Sequence, residues 1–434
     1  MHDFHFAGGR LHCEGVPLET LAKKFGTPLY VYSQHTLTDH FQKLDAALAP
    51  VDHLICYAVK ANSNLSVLRV LANAGSGFDI VSAGELQRVI AAGGDPRRCV
   101  FAGVGKTEKE IEFALRQNVY SFNCESEPEL QRINRIAARL KKIAPIALRI
   151  NPNVAAHTHA KITTGTYENK FGIAFEQVAA IYARAARLQN LRLRGVQMHI
   201  GSQITETTPF EQAVQKVLPL VRDLKARYDL EFFSVGGGLG IIYDPMLASG
   251  NPAWWRTPAA KKILTPASYA ARLLPLLQPL GLKILMEPGR FIAGNAGALL
   301  TRVEFVKRTG KKNFVIVDAA MNDLIRPAFY DAHHEIVPLV KKTGSGRPVS
   351  SDVVGPICES GDYFCKDRPL PKVGEGDHLA LLSAGAYGFV MASTYNARPL
   401  AAEVLVHGKK FAVIRARQPV KDIWAGEAVV PWLQ

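Results

Sequence analysis

Eight short apolar segments alternate with amphipathic helical stretches, and this period constrains the fold more than any other feature of the sequence. The segments are apolar on both faces, as the strands of a covered parallel sheet are. Ser82–Glu85, Thr107–Glu110 and Ser126–Glu129 match the capping box that begins a helix. Eight strand–helix repeats predict an α/β fold with a (β/α)8 barrel, whose catalytic side chains lie at the carboxyl ends of the strands. The predicted strands are Leu54–Lys60, Gly77–Ser82, Cys99–Val104, Val119–Cys124, Pro145–Asn151, Arg194–Gly201, Phe232–Gly238 and Lys283–Glu287.

The pattern changes after residue 291, where β-runs joined by Gly, Lys and Asn turns replace the strand–helix period. Val303–Asp318 and Glu403–Arg415 are typical of hairpins, and Gly376–Gly388 adds a further strand. No low-complexity linker separates the two parts. We therefore predict three regions, which are an N-terminal β segment (1–32) packed with the C-terminal domain, a barrel (33–290), and an all-β sandwich or barrel domain (291–434).

Composition excludes several classes of protein. No apolar run reaches the roughly 18–20 residues that span a bilayer, and the N-terminus lacks the layout of a secretory signal. The net charge is +14, but the Lys and Arg residues are scattered, which favours solvated surface charge over nucleic-acid binding. The six cysteines form no CxxC pair, which indicates free thiols in a reducing cytoplasm. We expect a cytoplasmic enzyme with neither a membrane nor a nucleic-acid partner.

Three features at predicted strand ends could carry chemistry. Lys60 ends an apolar strand, where desolvation would suit it to a Schiff base with an aldehyde; a surface lysine is the alternative. The glycines at 236–238 and 240 follow the seventh strand, where barrels commonly bind phosphate; a tight structural turn is equally compatible. Glu287 and Arg290 follow the eighth strand. Together, an amine, a phosphate loop and a carboxylate meet the needs of pyridoxal 5'-phosphate.

Other residues leave alternatives open. His199 could stack on the cofactor ring or be an ordinary core histidine. Cys358 could be an inert thiol, whereas Arg326 offers a fork for a carboxylate. The pairs His157/His159 and His333/His334 invite a metal interpretation, but no acidic or cysteine companions stand at ligand spacing. We therefore predict no metal site.

The sequence resembles the diaminopimelate decarboxylase family of barrel-type pyridoxal-phosphate decarboxylases, and the resemblance covers essentially the whole chain. The matching pieces are YAVKAN, FDIVSAGEL, RINPNVAAHTHAKITTGTYENKFGI, HIGSQI, VGGGLGI, MEPGR, GPICESGD and GAYG. The resemblance implies the alanine-racemase-like fold type III, with Lys60 as the Schiff-base residue, His199 on the ring face and Glu287 at the pyridine nitrogen. The implied cofactor-binding residues are Lys60, Asp79, His199, Ser202, Gly237, Gly238, Glu287, Gly289, Arg290 and Tyr387.

The resemblance further implies how substrate is held. The implied substrate-binding residues are Arg290, Arg326, Tyr330, Glu359 and Tyr387, in which Arg290, Arg326 and Tyr330 bind a carboxylate and Glu359 the distal ammonium. Cys358 is the implied acid and reaches the site from a partner subunit, so a homodimer with shared active sites is expected. The segment 152–172 corresponds to a loop over the active site.

The implied reaction is decarboxylation of meso-2,6-diaminopimelate to L-lysine and carbon dioxide, the last step of lysine biosynthesis. The runner-up is a decarboxylase of ornithine, arginine or carboxynorspermidine, although ornithine would leave Arg326 without a carboxylate to bind. A racemase is expected to place an arginine opposite the pyridine nitrogen, and Glu287 argues against it. A non-catalytic carrier of pyridoxal phosphate would need neither the β domain nor Cys358.

Overall fold

A computed structural model describes residues 2–154, 170–243, 252–258, 260, 263–342 and 347–433. The chain divides into two compact units, which are described separately. The barrel unit comprises Thr36–Ile242 and Ala253–Gly294, and the sheet unit comprises Met1–His35, Tyr243–Pro252 and Asn295–Gln434. The domain boundaries predicted above, 1–32, 33–290 and 291–434, are kept as a proposal.

The strands and helices are numbered in chain order. The strands are β1 (Phe4–Ala7), β2 (Arg10–Cys13), β3 (Val16–Pro17), β4 (Leu29–Ser33), β5 (His53–Ala58), β6 (Gly77–Ile80), β7 (Cys99–Phe101), β8 (Ser121–Cys124), β9 (Ala144–Asn151), β10 (Ile173–Ala174), β11 (Leu191–Met198), β12 (Phe232–Ser234), β13 (Lys283–Met286), β14 (Gly297–Arg308), β15 (Asn313–Val317), β16 (Ile336–Pro338), β17 (Val349–Val354), β18 (Tyr363–Leu370), β19 (His378–Leu381), β20 (Ala402–His407) and β21 (Lys410–Arg415). The helices are α1 (Leu18–Phe25), α2 (Gln34–Leu48), α3 (Leu65–Asn73), α4 (Ala83–Ala91), α5 (Glu108–Arg116), α6 (Glu127–Arg139), α7 (Val178–Ala185), α8 (Thr208–Tyr228), α9 (Pro266–Leu277), α10 (Arg290–Ala293) and α11 (Arg326–Tyr330).

The barrel unit is a closed parallel barrel. Its strands pair in the order β5-β6-β7-β8-β9-β11-β12-β13, and β13 pairs again with β5. The predicted (β/α)8 barrel is therefore confirmed, and each of its eight strands coincides with a predicted segment. Most predicted strands run too far at their carboxyl ends, because the chain leaves the ladder there to form the rim. The strand predicted to end at Lys60, for example, ends at Ala58.

The helices of the barrel begin where the capping signals predict. The side chains of Ser82, Thr107 and Ser126 accept hydrogen bonds from the backbone N–H three residues later, at the starts of α4, α5 and α6. Each cap satisfies a backbone donor that has no partner inside its helix. Apolar side chains from five of the strands fill the barrel interior, and they are Leu54, Cys56, Val100, Ala147, Phe232 and Leu285.

The sheet unit contains strands from both the N-terminal and the C-terminal part of the chain. Strand β4 pairs antiparallel with β14 and parallel with β20, so an N-terminal strand lies between C-terminal ones in the order β18-β17-β15-β14-β4-β20-β21. Strand β19 adds to β14 and carries β16. The predicted hairpins are present as β14–β15 and β20–β21.

No helix in the part of the chain that the structure describes combines the length and the apolar character needed to cross a bilayer.

Candidate active site

The barrel rim holds an ion pair between Lys60 and Asp79. Lys60 lies in a single 3₁₀ turn just after β5, and Asp79 lies in the neighbouring strand β6. Lys60 Nζ is 2.7 Å from Asp79 Oδ2; the lysine side chain is 42% exposed, whereas the aspartate side chain is 1% exposed. Asp79 Oδ1 is buried and, among the described residues, accepts no hydrogen bond. The rim thus presents an accessible amine beside a buried counter-charge.

Glu287 follows β13 and is held inside the barrel by three neutral donors. Ser234 Oγ donates at 2.7 Å, Gln197 Nε2 at 2.9 Å and Asn123 Nδ2 at 3.3 Å. Burial raises the pKa of Glu287 to about 7, and the charge of Asp79 adds to the increase, while the bonds from Ser234 and Gln197 and the charge of Lys60 oppose it. A cation placed next to Glu287 would shift it toward the carboxylate.

We predict that Glu287→Gln makes the cofactor-free protein more resistant to unfolding at alkaline pH. Because the folded pKa lies above the ordinary value of about 4.3, stability falls as the pH rises through that window and the full penalty is present above pH 7. The free energy of unfolding of the variant should exceed that of the wild type by on the order of 3 kcal/mol at pH 8 and by much less at pH 4.5. Urea denaturation at both pH values measures this, with the exposed Glu427→Gln as control. An equal difference at the two pH values would contradict it.

His199 stands one residue beyond β11 and is held in its neutral form. The backbone N–H of Gly237 donates to its Nδ1 at 3.2 Å, which leaves the ring proton on Nε2. Burial, together with the charges of Arg149 and Lys60, lowers the pKa of His199 well below its usual range. A neutral imidazole suits a flat contact with an aromatic ring.

The glycine loop after β12 packs against the ends of neighbouring strands. A Cβ at Gly236 would collide with the carbonyl oxygen of Met198, and one at Gly237 would collide with that of Glu287. Gly238 has a φ of +101°, which disfavours any other residue. These close contacts support the tight-turn interpretation of the glycines. Phosphate binding by the same loop remains a prediction. Nearby, Arg290 Nη2 donates to Ser202 Oγ at 3.3 Å.

A buried ion pair between Glu125 and Arg149 connects three rim segments. Glu125 Oε1 accepts from Arg149 Nη1 at 3.0 Å and from the backbone N–H of Gly103 at 3.2 Å, and its Oε2 accepts from Gly172 N–H at 2.9 Å. One carboxylate thus ties the segments that follow β7, β8 and β9. Neither this pair nor the donors Asn123, Gln197 and Ser234 were predicted from the sequence. Their only signal was a polar residue in the last three positions of an apolar strand or just after it.

Gly289 lies in the barrel unit, directly before α10. The other remaining predicted residues belong to the sheet unit. Arg326 and Tyr330 lie on α11, and the Arg326 guanidinium is 5.9 Å from the Tyr330 ring centroid. Cys358 and Glu359 are both exposed, and the Cys358 backbone N–H donates to Asn396 Oδ1 at 3.1 Å. Tyr387 has a φ of +55°. The roles assigned to these residues, and to those of the rim, remain predictions.

Residues 155–169, which form most of the predicted active-site loop and include His157 and His159, lie outside the described residues. Within the described ranges, no group of three His, Cys, Asp or Glu side chains is arranged to hold a metal ion. Whether pyridoxal phosphate fits this site is therefore judged from the polar side chains of the rim. A flat neutral imidazole, an accessible amine and a buried carboxyl that a cation would ionise fit the ring, aldehyde and nitrogen of pyridoxal phosphate.

Comparison with known proteins agrees with this donor set. Residues 34–294 match the family model described as the pyridoxal binding domain of pyridoxal-dependent decarboxylases. The chain is 51% identical to a diaminopimelate decarboxylase of Vibrio cholerae, over 98% of both chains. The Helicobacter pylori diaminopimelate decarboxylase, solved with L-lysine, is 42% identical with a TM-score of 0.87, covering 94% of this chain and 98% of that one. The corresponding M. jannaschii complex is 35% identical with a TM-score of 0.91 and covers 100% of both chains.

Proposed function

The chain belongs to the diaminopimelate decarboxylase family, and from this premise we propose that it decarboxylates meso-2,6-diaminopimelate to L-lysine and carbon dioxide. It is a pyridoxal-phosphate-dependent carboxy-lyase. The observation that carries the proposal is the rim arrangement in which the Lys60 amine, its partner Asp79 and the buried Glu287 interact electrostatically. The L-lysine bound by the two solved relatives is the product of the proposed reaction.

The rim residues divide the work of holding the cofactor. Lys60 binds it covalently, and Asp79 stabilises the lysine ammonium when the amine is free. His199 supports the ring face, and Glu287 pairs with the pyridine nitrogen. The glycine loop (Gly237, Gly238), Ser202, Gly289 and Arg290 of the rim bind the phosphate, together with Tyr387 of the sheet unit. The bound cofactor supplies an electron sink for the pair of electrons that remains when carbon dioxide leaves.

Glu287 keeps that sink effective. A positive nitrogen beside its carboxyl favours the ionised form, and Ser234, Gln197 and Asn123 already donate hydrogen bonds that the ionised form accepts. These donors come from three different strands, so they fix both oxygens of Glu287 in direction. A racemase would need the nitrogen left less positive, which a carboxylate at this position opposes.

Substrate recognition and protonation fall to residues of the sheet unit. Arg326 and Tyr330, with Arg290 of the rim, bind a substrate carboxylate, and Glu359 binds the distal ammonium. Cys358 protonates the substrate carbon after carbon dioxide has left. Cys358 and Glu359 are exposed on a single chain, whereas the other five cysteines are buried. This exposure supports a homodimer in which Cys358 and Glu359 serve the barrel of the partner subunit.

The reducing cytoplasm is the proposed location. All six cysteines are free thiols, which is the usual state in that compartment.

Carbon dioxide release identifies the substrate. We expect the holoenzyme to decarboxylate meso-2,6-diaminopimelate and to convert ornithine, arginine and carboxynorspermidine at least about a hundredfold less efficiently, because a buried arginine left without its carboxylate is penalised. The assay compares kcat/KM for the four compounds at equal enzyme concentration. Preferred turnover of any of the other three would overturn the proposed substrate while leaving the cofactor chemistry intact.

A further inference from the structure

We propose that His334 is a positioning residue that fixes the direction of the Arg326 guanidinium for binding the substrate carboxylate that is retained in the product. The inference rests on the proposed function, in which Arg326 binds that carboxylate. His334 entered the sequence analysis only as half of a discarded metal pair. In the folded chain, the hydrogen bonds of His334 connect Arg326 to the backbone of the sheet unit.

His334 is fully buried, and both of its ring nitrogens are engaged. Its Nδ1 lies 2.9 Å from the carbonyl oxygen of Leu382, and its Nε2 accepts a hydrogen bond from Arg326 Nε at 3.2 Å. A carbonyl oxygen can only accept, so the ring proton must be on Nδ1. Nε2 then carries a lone pair directed at the guanidinium. The two contacts define a single neutral tautomer whose acceptor faces Arg326.

The anchor of His334 is a rigid part of the sheet unit. Leu382 directly follows β19, and its backbone N–H donates to the carbonyl of Glu335 at 2.8 Å, next to the β16–β19 ladder. The carbonyl oxygen of His334 accepts from Arg368 Nη1. The imidazole is therefore held through both its backbone and its side chain, so it can transmit a fixed direction to Arg326.

A second neutral group completes the support. Arg326 Nη2 donates to Tyr243 Oη at 3.1 Å, and the Tyr243 ring meets the His334 ring edge-on at a centroid distance of 5.6 Å. His334 and Tyr243 are uncharged, so they orient the guanidinium without neutralising it. A planar fork that is oriented in advance binds a carboxylate at lower entropic cost than a mobile one. An oriented guanidinium of this kind favours ligands that carry a carboxylate over ligands that lack one.

The test uses two ligands that differ only in this carboxylate. L-Lysine, the proposed product, retains it, whereas 1,5-diaminopentane lacks it. In His334→Asn the amide can still reach Leu382 but not Arg326, and in His334→Leu the side chain at position 334 offers no acceptor; both are expected to raise the inhibition constant of L-lysine and the KM of diaminopimelate roughly tenfold. The inhibition constant of 1,5-diaminopentane and the cofactor content should stay within about twofold of wild type. His334→Gln, which keeps an acceptor near Nε2, should restore most of the L-lysine affinity.

The outcomes separate this inference from the proposed function. Arg326→Gln is the reference variant, and it should weaken the binding of L-lysine at least as much as the His334 variants do. If Arg326→Gln weakens L-lysine but His334→Asn and His334→Leu do not, the positioning role is wrong. If the binding of L-lysine and of 1,5-diaminopentane weakens equally in the His334 variants, His334 has only a structural role. If Arg326→Gln has no effect, the role of Arg326 in carboxylate binding fails, while turnover of diaminopimelate by the wild type decides the proposed function.

Discussion

A Lys60→Ala variant is expected to lose covalent attachment of pyridoxal phosphate and to fall in kcat by at least about a thousandfold. The physical reason is that Lys60 is the only lysine among the described residues that forms an ion pair with Asp79, with its Nζ 2.7 Å from Asp79 Oδ2. Removal of the amine abolishes both the covalent bond and the proton transfers that a lysine makes at the substrate nitrogen. Borohydride reduction followed by peptide mapping measures the attachment directly, independently of turnover.

Two controls make the Lys60 result specific. Lys60→Arg preserves a cation beside Asp79 but cannot form the covalent bond, so it should be as inactive as Lys60→Ala and keep more of the fold's stability. Lys283→Ala, at a partly exposed surface ion pair with Asp52, should label and turn over as wild type does. If cofactor remained covalently bound in Lys60→Ala, the assignment of the entire rim would be wrong.

A Cys358→Ala variant is expected to lower kcat by about 10²–10⁴-fold with unchanged cofactor content, because it removes a proton donor and leaves the rim intact. The buried Cys365→Ala is the matched control, and it should retain kcat. Steady-state kinetics with cofactor quantification checks both variants. Unchanged turnover in Cys358→Ala would remove Cys358 from the mechanism.

The two inactive variants together test the shared site. If Cys358 acts on the partner's barrel, a heterodimer of Lys60→Ala and Cys358→Ala contains one native site and one doubly defective site. Random reassociation of equal amounts should then restore about a quarter of wild-type activity, because half of the dimers are mixed. No recovery, with mixed dimers demonstrated by differently tagged chains, would place Cys358 in the site of its own chain.

Local patterns were sufficient for the barrel. The eight apolar runs and the caps at Ser82, Thr107 and Ser126 each depend on residues close together in sequence, and the structure confirms them. The strand ends were less accurate, because the point at which a strand leaves its ladder depends on the neighbouring strand. The two-residue strand β10 was not predicted. An N-terminal β segment packed with the C-terminal domain was predicted, but the placement of β4 between β14 and β20 was not.

The site divides in the same way. Lys60 and Glu287 stood out because a charge at the end of an apolar strand is unusual, and the sequence alone marked the glycines that follow β12. The donors to Glu287, the Glu125–Arg149 pair and the His334–Arg326 contact did not stand out, since Asn, Gln and Ser are common residues and their meaning depends on which atom they face.

The succession of strands and helices and the kinds of reactive side chain at the strand ends could be predicted from the sequence, because periodicity and capping act over a few residues. The electrostatic state of those side chains could not be predicted in this way, because it depends on the folded chain. Glu287 is buried among three donors, and His199 accepts from Gly237. A pKa depends on burial and on charges from distant parts of the chain, which meet only after folding.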